Sequence, residues 1–266
     1  MKKSNKPSLF LLLLLPVLFL AACGSKSAAE IDITERIKEN PTLTWGVKVD
    51  TNLFGLYDIQ SSEIRGFDID IAKAITKEIT GNADNAEFVE VTSKTRIPLL
   101  KNGNIDAIIA TMTITEERKQ QVNFTDVYFD AGQALLVPND SSIQNLEDLS
   151  AETTVLAVKG STSAQNIREL SPEANVLELE NYSEAFTALQ SGQGDAVTTD
   201  NAILLGIIAD NPGYRLAGGN FTQEPYGIAI NKGQDIFLQE VNKALDTIKS
   251  NGVYDEIYAK WIPELD

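Results

Sequence analysis

Arg118 is the residue whose position most strongly suggests binding chemistry. It lies in the first turn of a predicted helix that Thr115 is placed to cap, directly after Glu116 and Glu117. Cations are disfavoured at a helix N-terminus because the free N–H groups there carry partial positive charge. Arg118 therefore either pairs with the adjacent glutamates or binds an anion that the same N–H groups also bind.

Two further polar segments follow apolar stretches and are candidates for the same site. Thr199 and Asp200 come at the end of a predicted strand, and Asp200 is placed to cap a helix of residues 201–208. Thr162 and Ser163 precede a helix predicted to begin near Ala164. Their hydroxyl and amide groups either hold an anion or serve as ordinary helix caps.

Composition excludes several classes of function. The chain contains no histidine, and its only cysteine is Cys23. Histidine-based triads, thiolate nucleophiles and typical zinc sites are therefore not available to the folded part. The formal net charge of −16 makes nucleic acid a poor partner and requires a locally positive pocket for any anionic ligand.

The N-terminal segment has the features of a bacterial lipoprotein export signal. Three lysines precede an apolar run from Leu9 to Ala22, which Pro16 interrupts and which is shorter than the ~20 residues of a spanning helix. The sequence Leu-Ala-Ala-Cys that ends at Cys23 resembles a lipobox. We expect residues 1–22 to be a signal peptide, Cys23 to be lipidated and residues 23–41 to be a tether. Cleavage would remove three of 22 basic and none of 38 acidic residues, giving a charge of −19.

Beyond Pro41, strand and helix patterns alternate. Apolar residues at every second position from Leu43 to Val49 predict a strand, and Asp68 is a candidate N-cap for a helix that ends near Gly81. A further helix is predicted at residues 95–102 and strands at 87–91, 105–110, 134–137, 155–158, 176–179, 196–198 and 227–230. This order predicts an α/β fold with largely parallel sheets, whose ligands lie outside the carboxyl ends of strands.

One pattern occurs twice in the chain. Residues 99–107 and 188–196 each read as a helix that stops at a glycine and is followed by an Asp-Ala strand start. Each copy continues into polar residues, at 111–113 and at 198–200. The repetition indicates two similar lobes that face a shared cleft.

Several segments together resemble one protein family. The segment Thr113 to Lys119 is similar to the Thr-x-Thr-x-Glu-Arg signature of the polar amino-acid-binding proteins of ABC importers, and the likeness extends over about residues 43 to 262. The other matching segments, in the same order as in the family, are 66–70, 123–125, 158–163, 194–200, 226–228 and 254–261.

The resemblance implies a two-lobed type II periplasmic-binding-protein fold, with two mostly parallel sheets joined by two hinge strands. Lobe 1 is expected to comprise residues 42–131 and 228–266, and lobe 2 residues 132–227. The hinges are expected near residues 128–132 and 225–229. The implied mechanism is closure of the lobes around a ligand, without covalent chemistry.

The resemblance also assigns roles to the candidate residues. Arg118 is expected to bind the ligand α-carboxylate together with the Thr113 backbone, since a guanidinium and a carboxylate form a bidentate pair. Asp200 and the region of Thr111 are expected to hold the α-ammonium group. Phe67 resembles the family aromatic that packs on the aliphatic part of the ligand, and a role in the core is the alternative.

The candidates for side-chain recognition point to two ligands. Arg96 and Thr199 resemble residues of glutamate- and aspartate-binding members, whereas Asp50 and Lys159 resemble the pair that grips an amide in glutamine-binding members. Three cations and two acids among the five charged candidates leave one positive charge, which favours a ligand of charge −1. The sequence therefore favours glutamate, with glutamine or aspartate as alternatives.

The expected partners are a small amino acid, an ABC permease and, through the lipid anchor, the outer face of the cell membrane. No cofactor and no metal is expected, and we expect a monomer that is not an enzyme. Two alternatives remain open at this point: a dehydratase-like enzyme that uses a cleft carboxylate, and a sensory lipoprotein on the same fold.

Overall fold

The computed structural model describes residues 31–263. The predicted signal peptide, Cys23 and residues 24–30 of the predicted tether lie outside the described residues. Within residues 31–263, no helix is both long and apolar enough to cross a membrane.

The helices and strands alternate along the described chain, as the sequence pattern predicts. The helices are α1 (Ile33–Glu39), α2 (Phe67–Thr80), α3 (Arg96–Lys101), α4 (Glu116–Gln121), α5 (Ser163–Leu170), α6 (Tyr182–Gln190), α7 (Asn201–Asp210), α8 (Asp235–Ser250) and α9 (Val253–Trp261). The strands are β1 (Leu43–Val47), β2 (Asp50–Thr51), β3 (Gly55–Asp58), β4 (Glu63–Arg65), β5 (Ala86–Glu90), β6 (Ala107–Ile108), β7 (Val122–Phe124), β8 (Phe129–Ala131), β9 (Gln133–Pro138), β10 (Thr154–Val158), β11 (Asn175–Leu179), β12 (Ala196–Asp200), β13 (Tyr214–Ala217), β14 (Glu224–Tyr226) and β15 (Ala229–Asn231).

Two five-stranded sheets form the two lobes. The sheet of lobe 1 has the order β5-β1-β6-β15-β7, and the sheet of lobe 2 has the order β11-β10-β12-β9-β13. The C-terminal helices α8 and α9 pack against α2 and so complete lobe 1. The two-lobed α/β fold that the resemblance implies is confirmed.

Each sheet is mixed, which corrects the expectation of mostly parallel sheets. In lobe 1, β1 is parallel to β5 and β6, whereas β15 is antiparallel to β6 and β7. In lobe 2, β10 is parallel to β11 and β12, whereas β9 is antiparallel to β12 and β13. The reason lies in the connections, because β9 and β15 follow the strands that cross between the lobes. Strand β9 begins beside the end of β12, and β15 begins beside the end of β6, so each runs in the direction opposite to that neighbour.

A two-stranded antiparallel ribbon joins the lobes. It consists of β8 and β14, with Phe129 opposite Tyr226 and Ala131 opposite Glu224. Strand β8 lies within the predicted hinge segment 128–132, and β14 begins one residue before the predicted segment 225–229 and overlaps it at Pro225 and Tyr226. The exact lobe boundaries at 131/132 and 227/228, and the hinge motion itself, stay predictions.

The start of α2 differs from the prediction in a way that matters for the site. Gly66, not Asp68, is the N-cap residue, with φ of 151° and no side-chain cap. A Cβ on Gly66 would lie 2.1 Å from the Phe54 carbonyl oxygen, so only glycine fits this close approach. Asp68 therefore lies inside the first turn, where its side chain is fully buried and available for a distant partner.

Phe67 belongs to the core of lobe 1, which corrects its assignment to the ligand site. Its ring is fully buried and packs edge-on against Phe54 and Phe129, with ring centroids 5.9 and 5.7 Å apart. Tyr254 and Tyr258 of α9 pack on it as well. The first residue of α2 points into the layer between that helix and the C-terminal helices, because aromatic burial there removes a large apolar area from water.

Candidate functional site

A small cavity lies between the two lobes, at the ends of their strands. Its volume is only about 10 Å³, far below the roughly 300–1,000 Å³ of sites for drug-sized ligands. The residues that line it are Arg96, Thr111, Thr113 and Arg118 from lobe 1 and Ser161, Thr162, Ser163, Tyr182, Thr199 and Asp200 from lobe 2. Eight of these ten are residues that the sequence analysis singles out.

Arg118 lies in the cavity wall without an acidic partner. Thr115 caps α4 as predicted, since its Oγ1 accepts a hydrogen bond from the Arg118 N–H at 3.1 Å. The guanidinium donates to the Thr113 carbonyl at 2.7 Å and, across the cleft, to the Gly160 carbonyl at 3.1 Å. Among residues 31–263, no carboxylate lies within 4.0 Å of it, and Glu116 pairs with Lys119 instead. The surface-ion-pair alternative is therefore wrong, and burial lowers the pKa of Arg118.

Arg96 is a second buried guanidinium in the same wall. It is the first residue of α3 and only 2% exposed. One of its nitrogens donates to the Ala110 carbonyl at 2.7 Å, whereas Nε has no hydrogen-bond partner in the described chain. Burial, together with the charge of Arg118, lowers the pKa of Arg96 to about 9. A ligand oxygen at this point would satisfy a donor that the protein leaves unpaired.

Asp200 faces the cavity from the end of β12. Its side chain does not cap α7; its Oδ2 accepts a hydrogen bond from the Tyr226 hydroxyl at 2.5 Å. Burial and the nearby charge of Glu224 raise the pKa of Asp200 to about 7. A cationic group in the cavity would favour the ionised carboxylate and so bind to it.

Thr111 is held in an unusual backbone conformation by Asp68. Its φ of 46° lies in the left-handed region, which is costly for a β-branched residue. The Asp68 carboxylate accepts from the Thr111 N–H at 3.0 Å and from the Tyr128 hydroxyl at 2.9 Å. Burial raises the pKa of Asp68 to about 7. The Thr111 Oγ1, which is buried at the cavity, has no hydrogen-bond partner in the described residues.

Thr162 and Ser163 lie at the start of α5, where Thr162 is the N-cap residue but makes no side-chain cap. Its hydroxyl donates instead to Glu224 at 2.8 Å. Gln133 donates to the hydroxyl oxygens of both residues, at 2.8 and 3.2 Å. Thr162 therefore does not cap the helix with its side chain. Its hydroxyl is instead oriented by hydrogen bonds to Gln133 and Glu224, which are both buried.

Lys159 and Asp50 do not line the cavity, although the sequence places both at the ligand side chain. Lys159 is paired with Glu180 on the exposed surface of lobe 2. Asp50 accepts from the Tyr182 N–H at 2.8 Å and lies 3.7 Å from the Lys48 ammonium. Each side chain already has a partner that the sequence analysis does not consider, and their contact with the ligand stays a prediction.

Sequence reasoning misses Lys48 and Tyr182. Lys48 is fully buried, its ammonium lies 4.7 Å from the centre of the Tyr182 ring, and burial lowers its pKa to about 8. The Tyr182 hydroxyl accepts from Thr199 at 3.2 Å. Lys48 falls on the polar face of the predicted strand, between the apolar residues Val47 and Val49, so the alternation gives no signal for this buried cation.

The lobes also meet at a seam beside the cavity. The Asn52 amide donates to the Gly206 carbonyl at 2.8 Å and to the Asp210 carboxylate at 3.0 Å. A Cβ on Gly206 would lie 2.8 Å from the Asn52 carbonyl oxygen. Glycine is therefore required in α7 for this approach of the two lobes.

The charges at and behind the cavity wall nearly cancel. The acids Asp68 and Asp200, each with a pKa of about 7, are close to half ionised at neutral pH. The buried charged residues there are the cations Lys48, Arg96 and Arg118 and the acids Asp68, Asp200 and Glu224, with the partly buried Asp50 beside Lys48. The sum is therefore near zero, and the positive charge counted from the sequence is not retained.

This geometry agrees with a comparison to known proteins. Residues 43–264 match the family of bacterial extracellular solute-binding proteins, family 3. The chain belongs to this family. It is 60% identical over 264 residues to the ABC transporter glutamine-binding protein GlnH of Bacillus subtilis, with 97% of each chain covered. It is 54% identical to the glutamine-binding protein of Geobacillus stearothermophilus, over 85% of this chain and 91% of that one.

A solved structure extends the likeness to three dimensions. An ancestral arginine-binding protein bound to glutamine is 45% identical, with a TM-score of 0.78 over 83% of this chain and 97% of that one. The predicted role is thereby confirmed: the chain is an extracellular solute-binding protein that delivers an amino acid to an ABC transporter. Both of these glutamine-binding relatives are binding proteins by name.

Proposed function

We propose that this protein binds glutamine in the interlobe cavity and delivers it to an ABC permease. The observation that carries the proposal is that two buried residues of opposite charge line the same cavity without contacting each other. Arg118 is a cation without an acidic partner, and Asp200 is an acid that accepts a hydrogen bond from Tyr226. A zwitterionic α-amino acid supplies the opposite charge to each. Arg118 and the Thr113 segment bind its α-carboxylate, and Asp200 binds its α-ammonium group.

Two considerations favour glutamine over glutamate, the ligand that the sequence favours. Lys159, one of the three cations in the sequence-based count, has Glu180 as its partner. The charges that remain around the cavity sum to about zero, which suits a zwitterion with an uncharged side chain. The glutamine-binding relatives at 60% and 54% identity support the same choice.

The side-chain amide would be recognised by Arg96 and Thr199. The unpaired Nε of Arg96 donates to the amide oxygen. The Thr199 hydroxyl, which already donates to Tyr182, accepts from the amide nitrogen. Binding of this kind holds both lobes and favours their closure, since ligands that contact two lobes stabilise the closed state.

The test is calorimetric titration of the purified protein in detergent, after unfolding and refolding to remove bound ligand. Glutamine, glutamate, aspartate and arginine are titrated in parallel. We expect the tightest binding for glutamine. Tighter binding of glutamate would transfer the proposal to the acidic ligand, and absence of binding by all four would refute an amino-acid site.

Catalysis is the second candidate, because carboxylates with a raised pKa are also found in active sites. Asp68 and Asp200 both have a pKa of about 7. However, Asp68 does not line the cavity, and Asp200 is placed for an ammonium group. We propose that the protein is not an enzyme. Product formation from a bound cyclic acid such as prephenate would contradict this.

We further propose that the protein is a monomer, anchored to the membrane by a diacylglyceryl group on Cys23. Two acyl chains give stable anchoring, whereas one gives only marginal binding. Fractionation should recover the protein with membranes, and Cys23→Ser should release it or leave it unprocessed. Mass spectrometry of the N-terminal peptide that shows an unmodified Cys23 would overturn the anchor.

A further inference from the structure

Glu224 is a buried acid to which no contact with the ligand is assigned above. It lies on β14, one of the two strands that join the lobes, and is 3% exposed. Its carboxylate accepts hydrogen bonds from Thr162 at 2.8 Å, from Asn166 at 2.9 Å and from Thr222 at 3.0 Å. All three donors are uncharged. Among residues 31–263, no lysine or arginine lies within 4.0 Å of this carboxylate.

The negative charge of Glu224 reaches the ligand site. It is the strongest nearby influence that favours the charged form of Arg118, and after burial it is the main cause of the raised pKa of Asp200. Thr162, its hydrogen-bond donor, lines the cavity. Low dielectric and shielding from solvent make such a charge effective over several ångströms.

The position of Glu224 follows from the geometry of its strand. Side chains two residues apart share one face of a strand, so Glu224 and Tyr226 both point towards lobe 2. Tyr226 donates to Asp200, and Glu224 accepts from Thr162. The backbone of the same strand bonds to lobe 1, where the Ile114 N–H donates to the Pro225 carbonyl at 2.8 Å. Strand β14 therefore contacts both lobes beside the ligand site.

We propose that Glu224 is a specificity-determining residue, whose buried negative charge makes the cavity disfavour an anionic amino acid and so selects glutamine over glutamate. The three charged residues that line the cavity, Arg96, Arg118 and Asp200, include one cation in excess and alone would suit glutamate. Glu224 cancels this excess without touching the ligand. The inference rests on the proposed function.

The test compares Glu224→Gln with the wild type in titrations with glutamine and glutamate. The substitution keeps the size and hydrogen-bonding shape of the side chain and removes its charge. We expect the preference for glutamine over glutamate to fall on the order of tenfold, because the substitution removes one unit charge near the ligand at an effective dielectric constant of about 20. Glu224→Asp, which keeps the charge, should keep the preference even where it weakens both ligands.

Two controls separate this role from a structural one. Glu178→Gln removes the same charge from an exposed ion pair with Arg168, and we expect no change in preference because solvent screens that site. Glu224→Gln should also move the loss of glutamine affinity in acid to lower pH, because Glu224 no longer raises the pKa of Asp200. A structural defect would weaken both ligands equally at every pH.

The outcomes distinguish the inference from the proposed function. If the wild type prefers glutamine and Glu224→Gln keeps that preference and the same pH profile, the role of Glu224 is refuted and the function stands. If the wild type binds neither ligand, or prefers glutamate, the proposed function fails, and the inference fails with it.

Discussion

Replacement of Arg118 by alanine removes the only cation that we assign to the ligand α-carboxylate. Its guanidinium donates to the Thr113 and Gly160 carbonyls and is only 8% exposed. Removal of one partner of a buried, hydrogen-bonded charge pair costs about 2–5 kcal/mol. Because a hydrogen bond between the lobes is lost as well, we expect at least about 3 kcal/mol, which is a Kd about two orders of magnitude weaker.

Titration calorimetry with glutamine at pH 8 measures this effect. Arg118→Lys keeps the charge but not the two-pronged geometry, and we expect an intermediate loss. Arg168→Ala serves as the matched control, because it removes a guanidinium from a largely exposed pair with Glu178 and should leave Kd unchanged. If Arg118→Ala retains wild-type affinity while its melting temperature is also unchanged, the assignment of the α-carboxylate to Arg118 is wrong.

The remaining predictions concern pH, the interlobe seam and the core. Asp200 must be ionised to bind an ammonium group and has a pKa of about 7, so glutamine affinity should be full at pH 8 and fall as the pH decreases through 7. Asp200→Asn should bind glutamine weakly at all pH values. A wild-type Kd that is constant from pH 8 to 6 would argue against this role. Gly206→Ala should weaken glutamine binding about tenfold, because the added Cβ would clash with the Asn52 carbonyl. Thermal unfolding of the ligand-free protein should show no loss of stability, because alanine is the better helix former by about 1 kcal/mol. An unchanged Kd would mean that the seam does not limit closure. Phe67→Leu should lower the free energy of unfolding by about 1–2 kcal/mol in urea titrations and leave Kd within about twofold, whereas a Kd at least about tenfold weaker would restore Phe67 to the ligand site.

Local sequence patterns were sufficient for the order of elements and for several site residues. Thr115 and Arg118 are three residues apart, and the cap that joins them depends only on the start of one helix. The alternation of apolar residues along β1 shows which face of the strand is buried, so this strand can be predicted from the sequence alone. The cavity also lies at the ends of strands, where an α/β fold places ligands.

Contacts between distant parts of the chain decided the rest. Lys159 is paired with a residue 21 positions away, Asp68 holds a residue 43 positions away, and Glu224 holds one 62 positions away. A side chain that is long and charged can turn to the surface or to the cleft, and the choice depends on which partner the fold brings near. Residue type alone therefore could not separate Lys159, which is exposed, from Lys48, which is buried.

The sequence by itself determined the two-lobed α/β class, the family and the position of the arginine that faces the cleft, because periodicity, capping and motif order are properties of neighbouring residues. Only the tertiary structure decided that Phe67 belongs to the core, that the sheets are mixed, and that Asp68 and Glu224 add negative charge behind the cavity wall. The net charge of a buried site is the sum over residues from several elements, so it is defined only when those elements have come together.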